Sequence, residues 1–151
     1  MDYIFFMKEA IKEANKALEL GEVPVGAIIV LDDEIIGRGH NCVEYSKQAF
    51  RHAEIVAIEE ASNVVGDWRL EDAVIFSTLE PCIMCAGAIV HSRIKTLVYG
   101  AIDEQRGFAG SVLNIVDDGM FNHRVEVVAG VLKKECSEII NEFFKQRRKD
   151  K

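Results

Sequence analysis

The order in which apolar periodicity switches along the chain is what most constrains its fold. Ile4, Met7, Ile11, Ala14 and Leu18 recur at alternating steps of three and four, with Asp2 placed to cap and Gly21 to stop, which predicts an amphipathic first helix. Val25 to Leu31 is a β-branched run, Asp32-Asp33 supplies a turn, and Glu34 to Asn41 resumes strand character, so a hairpin is expected. A helix follows from about His52 to Ala61, then a short buried strand from Val74 to Thr78. Another helix opens at Pro81 and runs to about Ser92, and a strand from Thr96 to Tyr99 is closed by Gly100. Ala101 to Asn122 is loop-rich, with Gly107, Gly110 and Gly119. Val125 to Ala129 reads as a fifth strand and about Lys134 to Arg148 as the last helix. A helix, a hairpin and then alternating helix and strand predict an α/β fold, a mixed five-stranded sheet covered by helices in three α/β/α layers. No repeat, linker or low-complexity segment interrupts it, so residues 1–151 are expected to form one domain.

Two short segments carry the chemistry. In Pro81-Cys82-Ile83-Met84-Cys85 the proline suits the first turn of a helix, where its missing N–H costs nothing. Cys82 and Cys85 then stand at i and i+3 on one face, at a helix N-terminus whose dipole favours the thiolate. A lone C-x-x-C is equally a redox pair or two buried thiols. His52-Ala53-Glu54 shifts the balance, because His52 adds a third, imidazole ligand, and two thiolates with one imidazole suit Zn²⁺. Glu54 points about 200° around an ideal helix from His52, so the two are not expected to chelate together. A carboxylate near the metal but off it is what a metal-activated water needs as proton acceptor, and three ligands with an open fourth position describe a catalytic zinc. Histidine and glutamate in H-x-E with P-C-x-x-C is the signature of zinc nucleobase deaminases. A structural zinc would need a fourth ligand from Cys42, His40, His91, His123 or Cys136. Of these, Cys136 lies on an apolar helical stripe with Ile139, Ile140 and Phe143 and reads as core.

From these residues outward the chain resembles bacterial tRNA-specific adenosine deaminases of the TadA type, over roughly Phe6 to Arg148. The resemblance is carried by Gly21-Glu22-Val23-Pro24-Val25-Gly26-Ala27, Gly39-His40-Asn41, His52-Ala53-Glu54-Ile55 and Trp68-Arg69-Leu70. It is most specific in the run from Thr78-Leu79-Glu80-Pro81-Cys82 to Cys85-Ala86-Gly87-Ala88-Ile89, continued by Ser92-Arg93-Ile94. Tyr99-Gly100-Ala101, Gly110-Ser111, Asn122-His123-Arg124 and Phe143-Phe144 with Arg147-Arg148 complete it. The family usually reads Asp-Pro-Thr-Ala ahead of His-Ala-Glu, where this chain has Gln48-Ala49-Phe50-Arg51. Gln105 stands where a lysine is usual, with Arg106 beside it.

The resemblance implies a cytidine-deaminase-like fold and hydrolysis of the wobble adenosine of a tRNA anticodon to inosine, with release of ammonia. One Zn²⁺ per subunit on His52, Cys82 and Cys85 would acidify water. Glu54 would take a proton from that water and pass protons first to N1 of adenine and then to the departing amino group. Asn41 resembles the residue that reads the flipped base, and the Ala53 backbone is expected to help; a turn at the hairpin end is the other reading of Asn41. Asp103, Asn122, His123, Phe144 and Arg148 sit where the family grips the anticodon loop, with core packing the competing reading of Phe144. A homodimer, as in the relatives, and no organic cofactor are implied. Deamination of guanine or another free base or nucleotide is the alternative that keeps the zinc chemistry. A catalytically silent RNA-binding subunit is the other, and retention of Glu54 argues against it.

Charge bounds the partner. The formal net charge is −7, which at first sight argues against nucleic acid. It is uneven: Lys145 to Lys151 holds five basic residues and one acid, leaving the rest at −11. A small basic rim of Arg93, Arg106, Arg124 and the C-terminal cluster is expected to suffice for one flipped base. The N-terminus has an acid where a signal peptide needs a basic segment, and no apolar run approaches the ~20 residues that span a bilayer. Four cysteines are too few for a disulfide scaffold, so a reducing cytoplasm and no membrane are expected.

Overall fold

A computed structural model describes residues 1–150. The elements follow the predicted order: α1 (Tyr3–Glu19), β1 (Gly26–Leu31), β2 (Glu34–His40), α2 (Val43–Ser46), α3 (Ala53–Val65), β3 (Val74–Leu79), α4 (Ile83–His91), β4 (Thr96–Ala101), β5 (Glu126–Ala129) and α5 (Lys133–Lys149). Asp2 caps α1, its side chain accepting the Phe5 N–H at 3.0 Å. Asp32 and Asp33 both adopt positive φ, 52° and 61°, as a two-residue hairpin turn between β1 and β2 requires. The sheet runs β2-β1-β3-β4-β5, antiparallel on its first two seams and parallel on the last two.

Helices cover both faces. Ala27 and Ile29 of β1, Ile75 of β3 and Leu97 of β4 pack with Ala53, Ala57 and Ala61 of α3 and with Ala86 and Ile89 of α4. The alternate residues Ile28, Val30, Phe76 and Val98 face Phe6, Met7 and Ala10 of α1 and Cys136 of α5. The strict alternation along β1 through two apolar layers is the physical content of the three-layer architecture. Cys136 is core, as its stripe implied. At Gly26 the layers approach so closely that a Cβ would overlap Ala10 O and Ala14 N of α1. Gly26 N–H also donates to buried Thr78 Oγ1 at 3.1 Å, which locks the start of β1 to the end of β3.

Several details differ from the sequence reading. Strand β4 runs through Gly100 to Ala101 and is not closed by the glycine, and Ile4 and Leu18 of the α1 stripe are exposed while Phe6, Ala10 and Ala17 are buried. The four-residue α2 was not expected. Helix α3 runs four residues past Ala61, to a left-handed cap at Gly66 (φ 76°). Pro81 lies just ahead of α4 and not in its first turn: Cys82 is the cap, and the Pro81 carbonyl accepts from Phe108 N–H at 2.9 Å.

Candidate active site

Strand β3 ends at Leu79, and α3 and α4 begin at one corner of the sheet, so His52 and Cys82 occupy the cap positions of two helices. Neither side chain bonds its own helix's N–H groups, which leaves both free to point elsewhere. They point at each other. Cys82 Sγ and Cys85 Sγ each lie 3.5 Å from His52 Nδ1, and the three ligand atoms fall within 4.8 Å of one another. With Zn–S of about 2.3 Å and Zn–N of about 2.0–2.1 Å, a tetrahedral ion would set its sulfur and nitrogen ligands about 3.6 Å apart, so the donor set fits zinc in type and in spacing.

The electrostatics agree. A hydrogen bond from the Cys85 thiol, aided by His52 and opposed by burial, holds the Cys82 thiol down at about 4. The same hydrogen bond, with burial, pushes the Cys85 thiol up, and the hydrogen bond to Cys82 raises His52. The corner thus holds one thiolate, Cys82, beside a neutral thiol and an imidazole, and a cation bound there would require the Cys85 thiol to give up its proton. Glu54, in the first turn of α3, is 4% exposed and outside the ligand cluster. Burial pushes its carboxyl up to about 7, partly offset by its own backbone N–H. That value suits a group that both takes and gives protons near neutrality.

The corner opens into a cleft of about 520 Å³, within the range of small-ligand sites. Asn41, His52, Ala53, Glu54 and Cys82 line its inner part, with Cys85 buried beneath. Asn41 Nδ2 donates to Val23 O at 3.1 Å and Oδ1 accepts from Val43 N–H at 3.3 Å, so the residue does make a turn. Each end of the amide still keeps one unused hydrogen-bonding position for a ligand. Ala53 is the first residue of α3, so its N–H has no acceptor within the helix.

The rim brings in Asp103, Arg106, Phe143, Phe144 and Arg147. Phe144 is 43% exposed and meets Phe143 edge-on at 5.4 Å, so of the two phenylalanines only Phe143 packs inward. Asn122, His123 and Arg148 are not part of this cleft. His123 Nε2 lies 2.8 Å from Ile94 O, and Asn122 lines a smaller hollow of about 200 Å³ with Gly87, Arg93 and Phe121. Arg93 is turned to the carbonyls of Val90 and His91 and toward Trp68. None of the fourth-ligand candidates joins the cluster: Cys42 contacts Arg51 O, and His40 faces Glu13.

Two buried acids of the cleft, Glu22 and Glu80, escaped the sequence reading as site residues, and Arg147, expected there only as part of the basic C-terminal cluster, has a defined place. Arg147 donates to Gly21 O at 2.9 Å and lies 5.0 Å from the Phe143 ring, pinning α5 against the rim. Glu22 is 2% exposed and accepts from Glu44 N–H at 3.0 Å and Tyr45 N–H at 2.7 Å, which fixes α2. Glu80, 1% exposed, is bonded by the loop after β4. The available signal was an acid inside an otherwise apolar landmark, since a carboxylate is rarely buried without partners.

The model of the MafB19-like deaminase family matches residues 1–148. A tRNA-specific adenosine deaminase of Bacillus subtilis (strain 168) is 50% identical over 146 residues, covering 97% of this chain and 91% of the relative. One from Haemophilus influenzae is 46% identical, covering 96% and 84%. Among solved structures, one from a study of A-to-I editing by tRNA:A34 deaminases at the wobble position superposes with a TM-score of 0.86 at 39% identity, over 89% of this chain and 98% of that one. Guanine deaminase from Nitrosomonas europaea shares the fold, with a TM-score of 0.79 at 20% identity over 91% and 82%.

Proposed function

The chain belongs to the MafB19-like deaminase family, among the tRNA-specific adenosine deaminases, and on that premise we propose that it hydrolyses the wobble adenosine of a tRNA anticodon to inosine and releases ammonia. The observation that carries the chemistry is the convergence of His52 Nδ1, Cys82 Sγ and Cys85 Sγ beside a buried carboxylate that is not a ligand. His52, Cys82 and Cys85 would hold one zinc ion per subunit. Zinc, when bound, supplies the Lewis acidity that makes water a nucleophile at neutral pH. The remaining work falls to the chain. Glu54 takes the proton of the attacking water and delivers protons to N1 and then to the departing amino group of adenine. Asn41 and the Ala53 N–H read the edge of the flipped base. Asp103, Arg106, Phe144 and Arg147 are placed for the nucleotides around it, and the proposal extends to Asn122, His123 and Arg148 as anticodon-loop contacts beyond the cleft.

A homodimer fits the exposed apolar side chains Ile83 and Phe121 beside small Gly87 on the α4 side. We read the chain as a single domain acting in the cytoplasm; among the described residues no helix is long and apolar enough to cross a membrane.

The test is to offer purified protein an anticodon stem-loop with adenosine at the wobble position and, separately, free guanine, cytidine and dCMP. Inosine forms in the RNA alone, about one zinc is bound per chain, and Glu54→Ala abolishes turnover while keeping the metal. Turnover of free guanine with inert RNA would overturn the substrate, and full activity of Glu54→Ala would overturn the mechanism.

A further inference from the structure

Glu80 lies two residues before Cys82, at the junction of β3 and α4, and its carboxylate is wrapped by the segment that follows the neighbouring strand β4. Oε1 accepts from Asp103 N–H at 3.0 Å and from the Ser111 hydroxyl; Oε2 accepts from Ala109 N–H at 3.1 Å and Ser111 N–H at 3.0 Å. A carboxylate offers about four acceptor positions, and four donors fill them. Gly107 presses on the same group so closely that a Cβ there would overlap the carboxylate. The 103–111 segment is thereby folded around one side chain, and it carries Asp103 and Arg106, which line the cleft. Asp103 Oδ1 in turn accepts from Gln105 N–H and Arg106 N–H, so the position of Arg106 follows from that of Asp103.

We propose that Glu80 is a positioning residue for RNA: through the 103–111 segment it sets the rim that receives the nucleotides beside the flipped base. It takes no part in proton transfer. With every acceptor position filled by the loop, the carboxylate has none left for substrate or water, although it borders the cleft. Its place next to Cys82 means that one side chain registers the RNA-facing rim against the metal corner. This inference rests on the RNA-deaminase reading above.

Steady-state kinetics on the stem-loop, with zinc content, test it. In Glu80→Gln the amide must turn its NH₂ toward loop donors. In the better orientation Ser111 Oγ accepts from it, but Asp103 N–H loses its acceptor. We expect KM to rise about tenfold to a hundredfold with kcat within about threefold and zinc unchanged. Gly107→Ala displaces the same segment from the opposite side and gives the same signature, whereas Ser111→Ala, losing one of the four bonds, raises KM about two- to threefold. Should Glu80→Gln fail to fold, the other two variants decide the matter. Unchanged KM in Gly107→Ala and Ser111→Ala overturns the assignment; so does loss of zinc in parallel with activity, or a fall in kcat at constant KM. Wild-type protein inert on the stem-loop would refute the functional reading itself, whereas active wild type with unaffected variants refutes only the role of Glu80.

Discussion

The four cysteines show how environment divides one residue type into different chemistries. Cys82 is held down at about 4 by the Cys85 thiol and His52, so without metal it is a thiolate at neutral pH. Cys136 is pushed up to about 12 by burial between α5 and the sheet and behaves as a small hydrophobe. Cys42 is half-buried, between Asn41 and Val43, which line the cleft. Iodoacetamide at pH 8 is therefore expected to label only Cys42 in zinc-loaded protein, and Cys82 as well once a chelator has removed the metal. Cys136 is expected to react only on unfolding. Peptide mass spectrometry after timed quenching reads this directly; rapid labelling of Cys136 in folded, loaded protein, or protection of Cys82 after chelation, would refute it. The His52, Cys82 and Cys85 cluster was legible in the sequence because a metal-binding pattern depends on residue type and spacing, which a chain displays openly. Glu80 and Glu22 were not, because what makes them matter is a set of backbone donors lying about twenty to thirty residues away.

Elements built from local pattern were readable to within a few residues: the 3-4 stripe gave α1, and the Asp-Asp turn between β-branched runs gave the hairpin. Helix α2 was invisible for the opposite reason, since four residues held by a distant carboxylate leave no periodic trace. The join between α1 and β2 was also hidden, because its ion pairs cross between elements. Arg38 bonds Glu9 Oε1 at 2.7 Å and Glu13 Oε2 at 3.3 Å, while Lys12 and Lys16 flank the two acids. Hydrogen bonds from Lys12 and Arg38 lower the Glu9 carboxyl below its ordinary 4.5. A depressed carboxyl contributes stability that is fully present above its unfolded value and is lost as pH falls through its folded value. Arg38→Met is thus expected to cost about 1 kcal/mol at pH 7, discounted because the guanidinium is about a third exposed, and to flatten the stability loss below pH 4.5. Urea titrations at pH 7, 5 and 3.5 measure both effects. An equal destabilisation at all three pH values would show that Arg38 acts through packing alone.

At the scale of the molecule the acidic balance has to coexist with the proposed RNA substrate. The structure narrows the basic rim suggested by sequence: Arg106 and Arg147 border the cleft, while Arg93 is engaged with carbonyls and Trp68 on the Asn122 side. Lys145, Arg148 and Lys149 extend the positive end of α5 from Arg147. A grip of this size neutralises few phosphates, about two to four. Each contributes about −0.7 to the slope of log K against log salt on single-stranded RNA, so the expected slope lies between about −1 and −3. Affinity must then come mainly from enclosing the flipped base and stacking its neighbours, which salt leaves nearly untouched. Binding of the anticodon stem-loop to Glu54→Ala, titrated from about 50 to 400 mM salt, isolates that slope from turnover. Arg147→Ala should lower its magnitude by about 0.7. It should also loosen α5 from Gly21, so the same variant ought to weaken binding at high salt, where the charge itself no longer matters. A wild-type slope steeper than about −6 would instead mean that the RNA lies along an extended basic face that the cleft does not contain.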